Sequence, residues 1–317
     1  MGSLVGHVVP GFGFFLIGIW HLINNIKLHA INPKSYTSLP WFPFPKIRYL
    51  ELFLFIFSSI ISILMELFIG PQKHQPLDLD GTIPSNHLRN FEHSNISLTF
   101  LVYALFSITI DKTTLSIPTQ FGLSQFLGAI AFGHEFLVFH LHSSDHMGVE
   151  GQYYWLLQII IFMTFFTILS GIPFPNSFLN SFVRSYSIIF QGIWFMVMGI
   201  MIWTPKFIPK GCVLNSNDLT CPNPDDLKRA KSLVNIEFSW YLIGVTIFVV
   251  SFYLVLVKII YREKVQYQIL ASKFEDEKGD IEDVEAQEER SKSELNNIQG
   301  ETKRFVEMKK LFSPRNI

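Results

Sequence analysis

Apolar positions in this chain neither alternate nor recur on one helical face. They run almost unbroken for about 20 residues at a time, the length a helix needs to cross the hydrocarbon core of a bilayer. Seven runs qualify, over roughly 8–26, 48–70, 91–111, 119–142, 152–172, 180–203 and 235–260. Each break between them has a residue-level cause. Pro33, Pro40, Pro43 and Pro45 keep the first connection out of helix, and Gly70 with Pro71 ends the second run. Pro173 and Pro175 separate the fifth run from the sixth, which Pro205 and Pro209 close. No repeat recurs at a 20–50 residue period, so an inverted-repeat transporter fold finds no support. No basic residue precedes the first run and Pro10-Gly-Phe-Gly13 lies where a charged leader region would stand, so this run is expected to be retained rather than cleaved.

Composition agrees: 49% of the 317 residues are hydrophobic and 16% charged, which excludes a soluble globular enzyme, a collagen and a disulfide-stapled secreted domain. A net charge of −1 gives no field for nucleic acid. The charges are unevenly placed, with 24 of the chain's 51 in residues 262–317. The reading is therefore an all-α integral membrane bundle of seven helices over 1–262 and a polar tail over 263–317, largely disordered or transiently helical and available to a protein partner. Glu275 to Glu289 alone holds nine acidic residues.

Seven spans put the termini on opposite sides. Seven basic residues fall on the side of the N-terminus and nine, up to Lys264, on the other before the rest of the tail is counted, which places the N-terminus outside or in a lumen and the C-terminus in the cytosol. The only two cysteines, Cys212 and Cys221, share the sixth connection, which is non-cytosolic in that orientation and suited to a disulfide. The sequon Asn95-Ile-Ser97 is too close to the membrane to be glycosylated.

Ionisable groups within the spans carry the candidate chemistry, because a charge in hydrocarbon needs a partner or a task. Near the ends that share the N-terminal face stand His7, Glu66, Glu92, His93, His142, Asp145, His146 and Glu237. On the fourth span His134, His142 and His146 follow i+4 and i+8 steps, with Glu135 seven residues before His142 and His140 pointing elsewhere. His142 and His146 at i, i+4 match the spacing by which one helical face chelates a metal, provided the helix persists through Ser143-Ser-Asp145. His93, His142 and His146 are thus candidate ligands of a divalent metal such as zinc, supported by His7, Glu66 and Glu135, with Glu92 or Asp145 as a candidate base on a lipid-soluble substrate. Haem between His93 and His142 is a further cofactor candidate. Alternatively Glu66, His93, His134 and Glu135 form a proton or ion path, or the cluster is a structural polar cap. Toward the other face, Glu51 and Arg184 are expected to pair, with Gln191 on the Arg184 side of its helix, while His21, Asn24 and Asn25 read as interfacial. Nucleophile elbows, Walker loops and dinucleotide fingerprints are absent, and His134-Glu135 lacks the second histidine of a zincin because residue 138 is Val.

Gly6-His-Val-Val-Pro-Gly11, Phe91-Glu-His93, Phe139-His-Leu-His142 with Asp145-His146, Arg184-Ser, Gln191-Gly-Ile-Trp-Phe195, Trp203-Thr-Pro205 and Ser239-Trp-Tyr241 resemble the transmembrane protein 45 family, also called the domain of unknown function 716, over roughly 1–262 and closer to its plant branch. The resemblance implies a seven-helix multi-pass protein of plasma membrane or endomembranes, with histidines of the animal pattern matching His7, His93 and His142 and acids matching Glu66 and Glu135. It attaches no reaction. Plant members are described as virus-response-like, which adds a non-catalytic scaffold in stress or virus response to the alternatives. Zinc amidohydrolases of seven helices are only an analogy, because their His-x-x-x-His on the last helix has no counterpart here.

Overall fold

In the computed structural model, residues 4–71, 74–145, 148–215 and 218–260 are described, with backbone alone for 142–145, 215 and 218. Among the described residues seven long helices carry the fold: α1 Leu4–Ile31, α2 Leu50–Ile69, α3 Leu88–Asp111, α4 Ile117–Asp145, α5 Val149–Ser170, α6 Phe178–Trp203 and α7 Pro224–Ile260. All seven are long and apolar enough to span a bilayer, and this is an integral membrane protein with an all-α bundle. The tail over 263–317 lies outside the described residues.

The helices differ from the hydropathy windows chiefly at their ends. Hydropathy sees the apolar stretch, whereas a helix continues through polar residues that reach the interface. Thus α4 carries helical backbone through Ser143 and Ser144 to Asp145, and α7 begins at Pro224, well ahead of its apolar window. Pro at the first helical position has no N–H to leave unsatisfied. Before α7, β1 Val213–Asn215 and β2 Asp218–Thr220 pair antiparallel, Val213 opposite Thr220, and Cys212 is disulfide-bonded to Cys221 across the base of this hairpin.

Sequence neighbours pack side by side from α2 to α6, and α1 closes the ring by lying along α6. That closure is made by small residues. A Cβ added at Gly11 would stand 2.7 Å from the Gly192 carbonyl, one at Gly18 2.6 Å from Ile189, and one at Gly199 2.9 Å from the His7 Cβ. A Cβ at Gly192 would in turn run into the Phe15 backbone N–H. Without glycine the two backbones could not approach this closely, and in lipid such close contact replaces the hydrophobic drive that association in water would have. At the level of Gly11 and Gly192 the interior is filled by aromatic rings. Phe14 has ring centroids of Phe100, Phe132 and Phe195 within 5.9 to 6.0 Å, and Phe100 meets Phe132 edge-on at 5.2 Å. Helix α7 lies outside the ring on α6, through Phe238 against Trp194 and Phe190 and Tyr253 against Phe182.

Gly192→Ala should lower the stability of the detergent-purified protein by about 1–3 kcal/mol, because the added methyl overpacks against backbone. Gly13→Ala, which meets nothing within 4 Å, should be neutral or stabilising by about 0.5–1 kcal/mol. Thermal unfolding midpoints of the two variants check the contrast, and equal shifts would contradict it.

Candidate functional site

Three sets of buried polar groups lie at successive depths. At the N-terminal face, the last turn of α2 is a π-helix over Met65–Ile69, a winding found often at functional positions. It contains Glu66, whose carboxylate lies 3.5 Å from His93 Nδ1 and accepts from the Asn90 amide at 2.9 Å. The Ser59, Ser62, Glu66 stripe of α2 therefore faces α3, and Ser97 donates to Ser62 at 2.8 Å. His7 Nε2 lies 3.2 Å from the Tyr154 hydroxyl, with its ring against Trp203 at 4.4 Å. Tyr153 donates to Glu237 of α7 at 2.7 Å.

Glu92 is half-buried on α3 beside His93. The side chains of His142 and Asp145, and the whole of His146, lie outside the described residues, so of the expected metal set the structure brings together His93 and Glu66, while His7 lies by Tyr154 and Glu135 by Gln191. Among the described residues no three His, Cys, Asp or Glu side chains converge. His140 lies on the α5 side of α4, its Nδ1 3.0 Å from the Gln158 Oε1.

At mid-depth, Glu135 of α4 is 1% exposed and accepts from the Gln191 amide of α6 at 2.9 Å. Its Oε2 and the Gln191 Oε1 have no hydrogen-bond partner, nor has His134 Nδ1 on the adjacent residue. Gln191 thus joins α6 to α4. It lies on the same buried face of α6 as Arg184, as its i+7 spacing predicts, about 10 Å along the helix at 1.5 Å per residue.

Toward the opposite face the structure corrects two expectations. His21 and Asn25 are buried rather than interfacial, and Glu51 does not pair with Arg184. Instead, His21 Nε2 lies 2.8 Å from Glu51 Oε1, while Oε2 accepts from the Trp20 indole at 3.1 Å and the Phe42 backbone N–H at 2.9 Å. The cause is the position of Glu51 at the start of α2, where it meets the face of α1 that carries Trp20 and His21. Arg184, 2% exposed, donates to Gln125 Oε1 at 3.2 Å and to the Leu39 carbonyl at 3.0 Å. Asn25 meets Ser185 at 3.3 Å and accepts from the Tyr36 hydroxyl at 2.7 Å. Burial pushes the Tyr36 phenol above its ordinary value, against hydrogen bonding to Ser181 and the nearby Arg184 charge. Outside this buried group, Arg48 forms a forked pair with Asp111 at 3.0 and 3.1 Å; hydrogen bonding to that carboxylate raises the guanidinium further.

Trp20, Gln125, Tyr103 and the Leu39–Phe42 segment were not singled out from the sequence. A signal existed for α1, where His7, Gly11, Phe14, Gly18, His21 and Asn25 alternate steps of four and three and so mark one face. Chemically, the arrangement offers a neutral-donor pocket for one carboxyl group at mid-depth and a charged, hydrogen-bonded group near one face. Comparison with known families matches residues 121–254, from α4 into α7, to a family of unknown function (DUF716).

His21→Ala would remove one of the three hydrogen-bond partners of the buried Glu51 carboxylate, a loss expected to be about 1–3 kcal/mol. His21→Ala combined with Glu51→Gln should recover part of it. Unfolding midpoints of the single and double variants measure the coupling, which vanishes if the two residues act independently.

Proposed function

We propose that this protein, which belongs to the family of unknown function DUF716, conducts protons or a proton-coupled solute across its membrane, with Glu135 as the group that holds the proton at mid-depth. One observation carries the reading: a carboxyl group at the level of the aromatic layer, wholly buried, with a neutral amide as its hydrogen-bond donor and one oxygen without a partner. An ionised carboxylate is expensive in such surroundings, so the resting form is the neutral acid. Its ionisation becomes accessible only when a proton acceptor or water reaches it, which makes proton release conditional on a change around α4 and α6. Groups suited to exchange with it stand on both sides. Glu66 and His93 lie toward the N-terminal face with His134 beside Glu135, and His21 and Glu51 lie toward the other.

Reconstituted protein with a pH dye inside the vesicles tests this. Wild type should dissipate an imposed pH gradient, and Glu135→Gln, which keeps the shape and the Gln191 contact, should slow it at least tenfold while migrating as a folded protein in gel filtration. Wild-type rates in Glu135→Gln would remove the proposal.

A divalent metal such as zinc at the N-terminal face is the second reading, favoured by the pairing of the His93 imidazole of α3 with Glu66 on the π-helical turn of α2. Metal-dependent chemistry on a lipid-soluble substrate would follow only from such a metal. Elemental analysis of the purified protein should then find about one metal per chain, lost in His93→Ala; unchanged content in that variant would set the reading aside.

A further inference from the structure

The connection between α1 and α2 does not skirt the bundle. Tyr36, Ser38, Trp41 and Phe42 are buried, and the Ser38 N–H is bonded to the Pro175 carbonyl of the α5–α6 connection at 2.7 Å. Proline-rich backbone of this kind cannot satisfy its own polar groups, and at membrane depth it is tolerated only inside protein or beside a water-filled space. Here it is satisfied by side chains of three helices. The Leu39 carbonyl accepts from Arg184 of α6, the Pro40 carbonyl from the Tyr103 hydroxyl of α3 at 3.2 Å, and the Phe42 N–H donates to Glu51 of α2.

Behind this segment lies a cavity of about 40 Å³. Phe14, Phe100 and Phe132 of the aromatic layer contribute to its walls, which also include His21, Glu51, Tyr103, Ser124, Gln125 and Arg184. Two wholly buried nitrogens of that lining, His21 Nδ1 and Arg184 Nε, have no hydrogen-bond partner. Charge does not point to an ionic occupant. Arg184 and Glu51 bring opposite charges to one wall set, so neither sign dominates it. A single water needs about 10–15 Å³ and two to four polar partners, so the space and the orphaned groups fit about three waters.

We infer that this cavity is a water-filled chamber inside the bundle and that Leu39–Phe42 is a removable plug over it, latched by Arg184, Tyr103 and Glu51. The latches are side-chain bonds to a short stretch of loop, so they release without unwinding any helix. The inference is independent of what crosses the membrane, since it rests on the loop and the cavity and not on Glu135.

The plug is tested by thiol labelling of detergent-purified protein. Because the chain's two cysteines are disulfide-bonded, an introduced cysteine is the free one. Ser38→Cys, at a residue 2% exposed, is compared with Thr37→Cys at the exposed neighbouring position, using a charged methanethiosulfonate. Ser38→Cys should react at least a hundredfold more slowly than Thr37→Cys, and adding Tyr103→Phe or Arg184→Lys should accelerate it at least tenfold while leaving the Thr37→Cys rate unchanged. Equal rates at the two positions, or a Ser38→Cys rate indifferent to both latch variants, would overturn the plug. The chamber is tested on the wild-type chain by hydroxyl-radical labelling from pulsed X-rays. Tyr103 should be oxidised at least fivefold faster than Tyr153, a buried tyrosine that does not line the cavity; labelling of Tyr103 no faster than Tyr153 would mean the chamber is dry.

Discussion

The polar groups that α1 and α6 bring into this bundle depend on how closely the two helices approach. Lipid chains are as apolar as leucine, so two membrane helices gain little by hiding apolar surface from them and must gain by contact. Gly11 and Gly18 on α1, with Gly192 and Gly199 on α6, remove the side chains that would hold the backbones apart. The same face of α1 carries His7, His21 and Asn25, and the same face of α6 carries Arg184, Ser185 and Gln191. Glycine contact and polar burial are therefore one event. The register that seats Gly11 against Gly192 also sets Asn25 beside Ser185.

With that seam closed, Glu51, Gln191 and Arg184 each meet a partner from another helix. Glu51 binds α1 through His21 and Trp20, Gln191 binds α4 through Glu135, and Arg184 binds α4 through Gln125. These contacts are a constraint as much as a source of stability. Replacing a buried ion pair by apolar residues of similar volume is often neutral or stabilising, whereas removing one partner is damaging. A polar set kept in this form is better explained by what the groups do or by the arrangement they specify than by the stability they add.

The spans were legible in the sequence because bilayer thickness is a one-dimensional constraint: an apolar run of sufficient length and a proline or glycine break suffice to locate a helix to within a few residues. Helix ends were less so, since Ser143, Ser144 and the start of α7 are polar and lie where hydropathy has already fallen. The intramembrane acids and histidines were legible as a set, but not their pairing. His21 met Glu51 30 positions away and Glu135 met Gln191 56 away, and no local pattern ranks such partners. The Glu51 and Arg184 expectation failed on this point, because depth alone matched them while neighbouring groups, including loop backbone, took both. The loop itself could not be read, for proline explains why it is not helical and says nothing of whether it lies on the surface or turns inward.

The two ends of the bundle differ in a way that bears on function. Near the N-terminus, Glu66 and His93 keep 13% and 22% of their side-chain surface exposed and are 3.5 Å apart, a loose pair within reach of the exterior. Toward the other face, His21 and Glu51 are 6% and 3% exposed and 2.8 Å apart, behind a segment bonded to three helices. Between them stand an aromatic layer and Glu135. A symmetric polar cap would have no reason to be accessible at one end and sealed at the other, nor to hold a carboxyl group in the middle without a cationic partner. The proposed proton path would use that asymmetry, one end open to exchange while the other is held closed, and of the groups that create it His21 lies on the α1 face that the α1–α6 seam orders.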